Sequence, residues 1–129
     1  MKKSPPRRIL VVDDEMLIRW SISETLKQHG YTIVEAGDAA SARRALVELP
    51  EPPDAVVLDY RLPDSNDLSL LADIRRTTPD SPVVLITAFG TQEITDGARK
   101  LGAYAVMNKP FEMSDLEIVI SRACQSQSH

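Results

Sequence analysis

Four short apolar runs in this 129-residue chain each lead, at the carboxyl side, into a residue able to handle metal or phosphate. Residues 9–12 run into Asp13, Asp14 and Glu15, residues 55–58 into Asp59, and residues 83–86 into Thr87. Residues 105–107 are followed two positions later by Lys109. Two like charges about 4 Å apart repel by roughly 4 kcal/mol at an effective dielectric near 20, so clustered carboxylates call for a cation. Hard oxygen ligands of this kind suit Mg²⁺, which keeps several waters and completes its octahedron with phosphate oxygens. One carboxylate can also act as a nucleophile and form an aspartyl phosphate. A lysine would offset charge on the transferring group while a hydroxyl donates to it, and Lys109 and Thr87 supply those two functions. Taken singly, each residue has a plainer use: an acid pair at a helix start, a turn aspartate, a strand-end threonine, a solvated lysine. Agreement among four separate strand ends outweighs those readings.

Such a set can meet only if the runs lie side by side. Short apolar runs alternate with segments of helical period, which implies β-α units and a parallel sheet. Ile18, Ile22 and Leu26 give a first helix its apolar stripe, and Gly30 ends it as a left-handed cap. Residues 31–36 form the second strand. Asp38 is the N-cap of a helix over 39–49, stopped by Pro50, Pro52 and Pro53. Leu68, Leu71 and Ile74 carry the third helix inward, and residues 78–82 turn the chain into the fourth strand. The fourth helix, 91–101, holds Gly97 and only Ile94, Ala98 and Leu101 as apolar anchors, so it is expected to be the least stable. Leu116, Val119, Ile120 and Ala123 give a last amphipathic helix, with fraying from Gln125. Strands two, three and four read as mostly apolar on both faces, as in a sheet covered by helices on both sides. Right-handed crossovers then favour a doubly wound, five-stranded α/β sheet in the order 2-1-3-4-5 with five helices. Its switch point falls between strands one and three, beside Asp13, Asp14 and Asp59.

Composition narrows the setting. The chain is 43 % hydrophobic and 26 % charged, with a net charge of −4, which argues against direct nucleic-acid binding. No apolar stretch approaches the roughly 18 residues of a membrane span, and no signal-peptide apolar segment is evident. Cys124 is the only cysteine, so an internal disulfide is excluded and a cytoplasmic setting is expected. Lys2, Lys3, Arg7 and Arg8 read as a solvated basic start rather than a binding patch.

The motifs around residues 10–15, 57–63, 86–88 and 108–111 resemble the receiver domains of two-component response regulators, a flavodoxin-like fold. The resemblance implies a receiver domain over 8–124, between a flexible basic tail at 1–7 and a frayed end at 125–129. By it, Asp59 is the phosphoryl acceptor from a sensor histidine kinase, in a self-phosphorylation rather than a turnover reaction. Asp14, Asp59 and the backbone carbonyl of Arg61 would ligate Mg²⁺ (or Mn²⁺), with Asp13 acting through water. Thr87 would be the switch hydroxyl, Lys109 would contact the phosphoryl group, and the Lys109–Pro110 peptide would be cis. The output would be read on the surface of the fourth helix, fifth strand and fifth helix, by an output domain or in a phosphorylation-dependent homodimer. Ile18-Arg19-Trp20 and residues 59–63 further resemble receivers of enhancer-binding transcription activators, so a transcriptional output is expected. The sequence fits both a module of a larger protein and a stand-alone regulator.

Two positions depart from the family pattern. Val106 stands where the switch aromatic is usual, with Tyr104 two residues earlier and expected to pack. Asp67 stands where a glycine is usual, so a changed loop or an Asp cap is expected before the third helix. Arg61 and Phe89 flank the acceptor and switch positions and are expected to hinder the hydrolytic water. Trp20, off the main apolar stripe, is expected to be partly exposed. Three rival readings are a phosphatase with an aspartyl intermediate, a flavin-binding domain and a binding module without phosphorylation. Arg61 replaces the second acid that the phosphatase would use, and Asp13-Asp14-Glu15 replaces an uncharged phosphate loop. The complete phosphorylation set disfavours the third.

Overall fold

The computed structural model describes residues 6–126; of the expected tails at 1–7 and 125–129, residues 1–5 and 127–129 lie outside it. Five strands and five helices alternate: β1 (Arg8–Val12), α1 (Met16–Gln28), β2 (Thr32–Ala36), α2 (Ala39–Glu48) and β3 (Ala55–Asp59). They continue with α3 (Ser69–Thr77), β4 (Val83–Thr87), α4 (Gln92–Lys100), β5 (Ala105–Asn108) and α5 (Met113–Ser126). All pairings are parallel, in the order β2-β1-β3-β4-β5.

Alternate residues of each strand point to opposite faces, and both faces of the sheet centre are apolar. One core joins Ile9, Val11, Val57, Val84 and Ile86 to Ile22 and Leu26 of α1 and Leu116, Ile120 and Cys124 of α5. The other joins Leu10, Val12, Val56, Leu58 and Leu85 to α2, to Leu70, Leu71 and Ile74 of α3, and to Ala98 of α4. Every residue of β3 and β4 is buried. Strand β2 differs from expectation: Thr32 and Glu35 are exposed and Ile33 and Val34 only half-buried, because it is an edge strand.

Local signals explain most boundaries. The Asp38 carboxylate accepts from the Ser41 N–H at 2.7 Å and caps α2. A second acid reaches that helix start from afar: Asp64 accepts from the N–H groups of Ala39 and Ala40 at 2.8 and 3.0 Å. These two bonds hold the Asp64 carboxyl below the usual carboxylate range. Asp67 accepts from the Ser69 N–H at 2.9 Å, so the acid in place of the usual glycine starts α3 with an Asx bond. Gly30, at φ 90°, closes α1 with its N–H on the Lys27 carbonyl.

Helix α4 starts with the Ile94 N–H on the Thr91 hydroxyl, at 3.2 Å. Ala98 is its only buried residue, and Leu101, expected as an anchor, is 38 % exposed just past its end. Gly97 admits Leu68 instead, since a Cβ there would lie 2.9 Å from Leu68 Cδ1. The inward stripe of α3 is Leu70, Leu71 and Ile74, with Leu68 half-buried ahead of the helix. Helix α5 runs beyond the fraying point expected from sequence and includes Gln125. Arg7, placed in the tail by sequence, donates from Nη1 to the Cys124 carbonyl at 2.7 Å, and its own carbonyl accepts from Thr32. No helix among the described residues is long and apolar enough to cross a membrane.

Candidate functional site

The register fixes which strand ends meet. Val12 pairs with Leu58, Asp59 with Ile86 and Thr87 with Asn108, so the carboxyl ends of β1, β3, β4 and β5 form one rim. Carboxylate oxygens of Asp13, Asp14 and Asp59 all lie within 4.8 Å of one another. Asp13 is fully buried, Asp59 nearly so, and Asp14 exposed. Lys109 reaches across from the end of β5, with Nζ 3.1 Å from Asp59 Oδ2 and 3.4 Å from Asp13 Oδ2. The Lys109 N–H donates to the Thr87 carbonyl at 2.8 Å, and the Lys109–Pro110 peptide is cis.

These groups border a pocket of about 230 Å³ lined by Asp14, Glu15, Asp59, Arg61, Ala88, Phe89 and Lys109. Thr87 and Asp13 are buried and do not line it. The Thr87 hydroxyl accepts from the Phe89 N–H at 2.9 Å, which ties it to the loop that forms one wall. The Arg61 guanidinium lies over the Phe89 ring, 4.1 Å from its centroid, a cation–π pair in the pocket lining with Asp59. The Arg61 N–H points to Asp59 Oδ1 at 3.4 Å.

Charge at this rim is out of balance without a cation. Burial, and then the Asp13 charge, push the Asp59 carboxyl up to about 6 despite its bond to Lys109. Burial would lower Lys109, but the bond and charge of Asp59, then Asp13 and Glu15, outweigh it and hold the ammonium above its ordinary value. Three hard carboxylates, two of them in a desolvated corner, form a donor set that fits a small divalent cation. The set lacks the soft sulfur or imidazole ligands that would select zinc or copper.

Sequence reasoning missed three parts of this arrangement. Glu15 is a third partner of Lys109, at 3.1 Å, and its N–H donates to Asp13 Oδ1 at 2.8 Å. Arg19 of α1 donates from Nη1 to the Asp13 carbonyl at 2.7 Å and pairs through Nε with Glu35 of β2 at 2.9 Å. Gly37 leaves room for that side chain, because a Cβ there would lie 3.2 Å from Arg19 Nη1. Asp64, the distant cap of α2, is the third. The Val106 side chain is half-buried against the core on the α2–α3–α4 face. Tyr104, expected to pack, is 42 % exposed just before β5, the edge strand of the sheet. Trp20 is exposed, together with Met16 and Leu17 on α1.

Comparison with known proteins is consistent with this geometry. The description of the response regulator receiver domain matches residues 9–121. The transcriptional regulatory protein PdtaR of Mycobacterium tuberculosis is 40 % identical over 124 residues, which cover 91 % of this chain and 58 % of that protein. The putative response regulator NtrX-like of Rickettsia conorii is 39 % identical over 119 residues, 91 % of this chain and 25 % of that protein. The chain therefore spans between a quarter and three fifths of the length of these relatives. Among solved structures, the receiver domain of NtrX from Brucella abortus superposes with a TM-score of 0.83 at 38 % identity, covering 92 % of this chain and 98 % of that one. A CheY-like receiver domain protein from Methanospirillum hungatei superposes with a TM-score of 0.89 at 26 % identity, covering 95 % and 96 %. With the family description spanning most of its length, this chain belongs to the response regulator receiver domains.

Proposed function

We propose that the chain is a phosphoacceptor switch that takes a phosphoryl group onto Asp59 and passes the change to an output partner. The observation that carries this is Lys109 Nζ at 3.1 Å from Asp59 within the buried carboxylate corner. Asp14, Asp59 and the Arg61 carbonyl would hold Mg²⁺, or Mn²⁺, with Asp13 reaching it through water. Bound there, the ion would neutralise charge on the transferring phosphoryl oxygens. An Asp59 oxygen forms the new O–P bond as the P–N bond of a kinase phosphohistidine breaks. The imidazole leaves with the electron pair and takes up a proton. Lys109 then moves from its carboxylates to the phosphoryl oxygens, and the Thr87 hydroxyl donates to another.

The phosphoryl group adds negative charge and acceptor oxygens where Thr87 can follow them. Thr87 is bonded to the Phe89 N–H, so its movement takes the loop before α4 with it. The α4–β5–α5 surface is the readout, for an output domain, a transcription partner or a second copy of the chain. Val106 makes the coupling through Thr87 and its loop rather than through a switch aromatic. The reaction is self-modification followed by slow loss of phosphate, without turnover, in a cytoplasmic setting and without contact to nucleic acid or membrane.

Mass spectrometry after treatment with acetyl phosphate and Mg²⁺ tests this, with size measured before and after. The native chain gains one phosphoryl group and Asp59→Asn gains none; equal modification of both overturns the assignment. The Arg61–Phe89 pair covers one side of the acceptor, so Arg61→Ala and Phe89→Ala are expected to shorten the phosphoryl lifetime severalfold. Unchanged lifetimes in both would remove that role.

A further inference from the structure

Of the three acids on Lys109, two are held in the strand-end corner and the third, Glu15, is an exposed side chain at the pocket. Its backbone is fixed by the N–H bond to Asp13, and its carboxylate is drawn over the pocket by Lys109. Asp13, Asp14, Glu15 and Asp59 carry four formal negative charges, against two positive charges on Lys109 and Arg61. A divalent cation therefore leaves the site neutral with Glu15 present, and singly positive without it. An incoming phosphodonor is an anion and has to approach past this carboxylate.

We propose that Glu15, held at the pocket by Lys109, sets phosphodonor preference by disfavouring dianionic donors relative to donors of lower charge. This rests on the phosphoacceptor reading of Asp59. Glu15 is a specificity-determining residue here, since it neither accepts the phosphoryl group nor needs to touch the cation. A free acyl phosphate, a dianion near neutral pH, meets the repulsion in full. A phosphoramidate, a net monoanion because its nitrogen is protonated, meets less of it. With acetyl phosphate the P–O bond breaks and acetate leaves with the electron pair. With phosphoramidate the P–N bond breaks and ammonia leaves with the pair, already carrying its protons. Asp59 supplies the new O–P bond in both, so the two reactions share every step except the charge of what arrives.

That shared chemistry separates charge from tethering. Loss of the Lys109 tether, or a change in cation affinity, alters both rates alike and cancels in their ratio. The experiment measures phosphorylation rates near pH 7 at saturating Mg²⁺ with acetyl phosphate and with phosphoramidate. It uses the native chain, Glu15→Gln, Glu15→Asp and Asp59→Asn. Removing this one charge from the pocket wall is expected to raise the acetyl phosphate-to-phosphoramidate ratio about fivefold in Glu15→Gln. Glu15→Asp keeps the charge and shortens the reach, so its ratio is expected to stay within about twofold of native. Raising the salt to about 0.5 M, where the screening length is a few ångströms, should shrink the Glu15→Gln effect. Calorimetry gives an independent reading, with weaker Mg²⁺ binding expected in Glu15→Gln.

An unmoved ratio in Glu15→Gln, an equal shift in Glu15→Asp, or unchanged Mg²⁺ affinity in Glu15→Gln overturns this inference alone. A native chain modified by neither donor, or an Asp59→Asn chain modified equally, overturns the phosphoacceptor reading and this inference with it.

Discussion

Helices α4 and α5 follow neighbouring strands of one sheet and are held in very different ways. Helix α5 buries Leu116, Ile120, Ala123 and Cys124 beside α1, and its last turn receives the Arg7 guanidinium. Helix α4 buries Ala98 alone and has a glycine where Leu68 comes in. The face with α1 and α5 carries the elements that fix the acids, while α4 hangs directly from the loop after Thr87. Regions with few buried apolar contacts open and shift at the least cost. The fold thus separates a firmly held part, which carries the acid corner, from a part that can shift at low cost.

Core truncation measures that difference most strongly. Leu116→Ala is expected to destabilise the chain by about 2–5 kcal/mol, as for other fully buried leucines. Ile94→Ala, at a half-buried position of α4, should cost about 1–2 kcal/mol by its smaller burial. Urea denaturation checks both, and equal losses would break the comparison.

The acid corner has the opposite character: it is well held yet electrostatically costly. The folded-state value of Asp59, about 6, lies above its ordinary 3.8, so the folded state disfavours the charged form. That penalty is complete above the folded value, shrinks as pH falls through it, and is gone below the ordinary one. Asp59→Asn in chelator is therefore expected to stabilise the chain by about 1–3 kcal/mol near pH 7.5 and by almost nothing near pH 4. Thermal unfolding across that range checks it, and a gain that grows as pH falls would contradict the sign.

The smallest effect concerns Arg19, which grips the Asp13 carbonyl from the fixed side. Arg19→Met removes a positive charge near the acids, and charge alone would tighten Mg²⁺ binding. Loss of the grip lets the Asp13–Asp14 segment relax, and binding is expected to weaken about threefold, in line with one hydrogen bond. Calorimetry reads the direction.

Much of this was legible from residues 8–124. Apolar runs and their terminal acids carried the strand order and rim, because register in a parallel sheet follows from short crossovers. Asp38 was readable because its cap bond is local. Glu15, Arg19 and Asp64 were not, since each acts on a residue whose proximity only the assembled fold creates. Lys109 is 94 residues from Glu15, Glu35 is 16 from Arg19, and Ala39 is 25 from Asp64. Leu101 was misjudged for a related reason: helical period identifies a stripe but not where the helix stops and turns its next residue to solvent. Likewise, the composition of β2 suited a covered strand, and only its place at the sheet edge leaves Thr32 and Glu35 exposed.

Asp64 has one more consequence. It lies five residues after Asp59, and its carboxylate moors the intervening loop to the first turn of α2 through two backbone bonds. Of the four segments that leave this rim, the one toward α3 is thus moored to a third element, whereas the one toward α4 leads to the helix with a single buried residue. A loop held at both ends resists displacement, while a helix with little buried surface shifts at low cost.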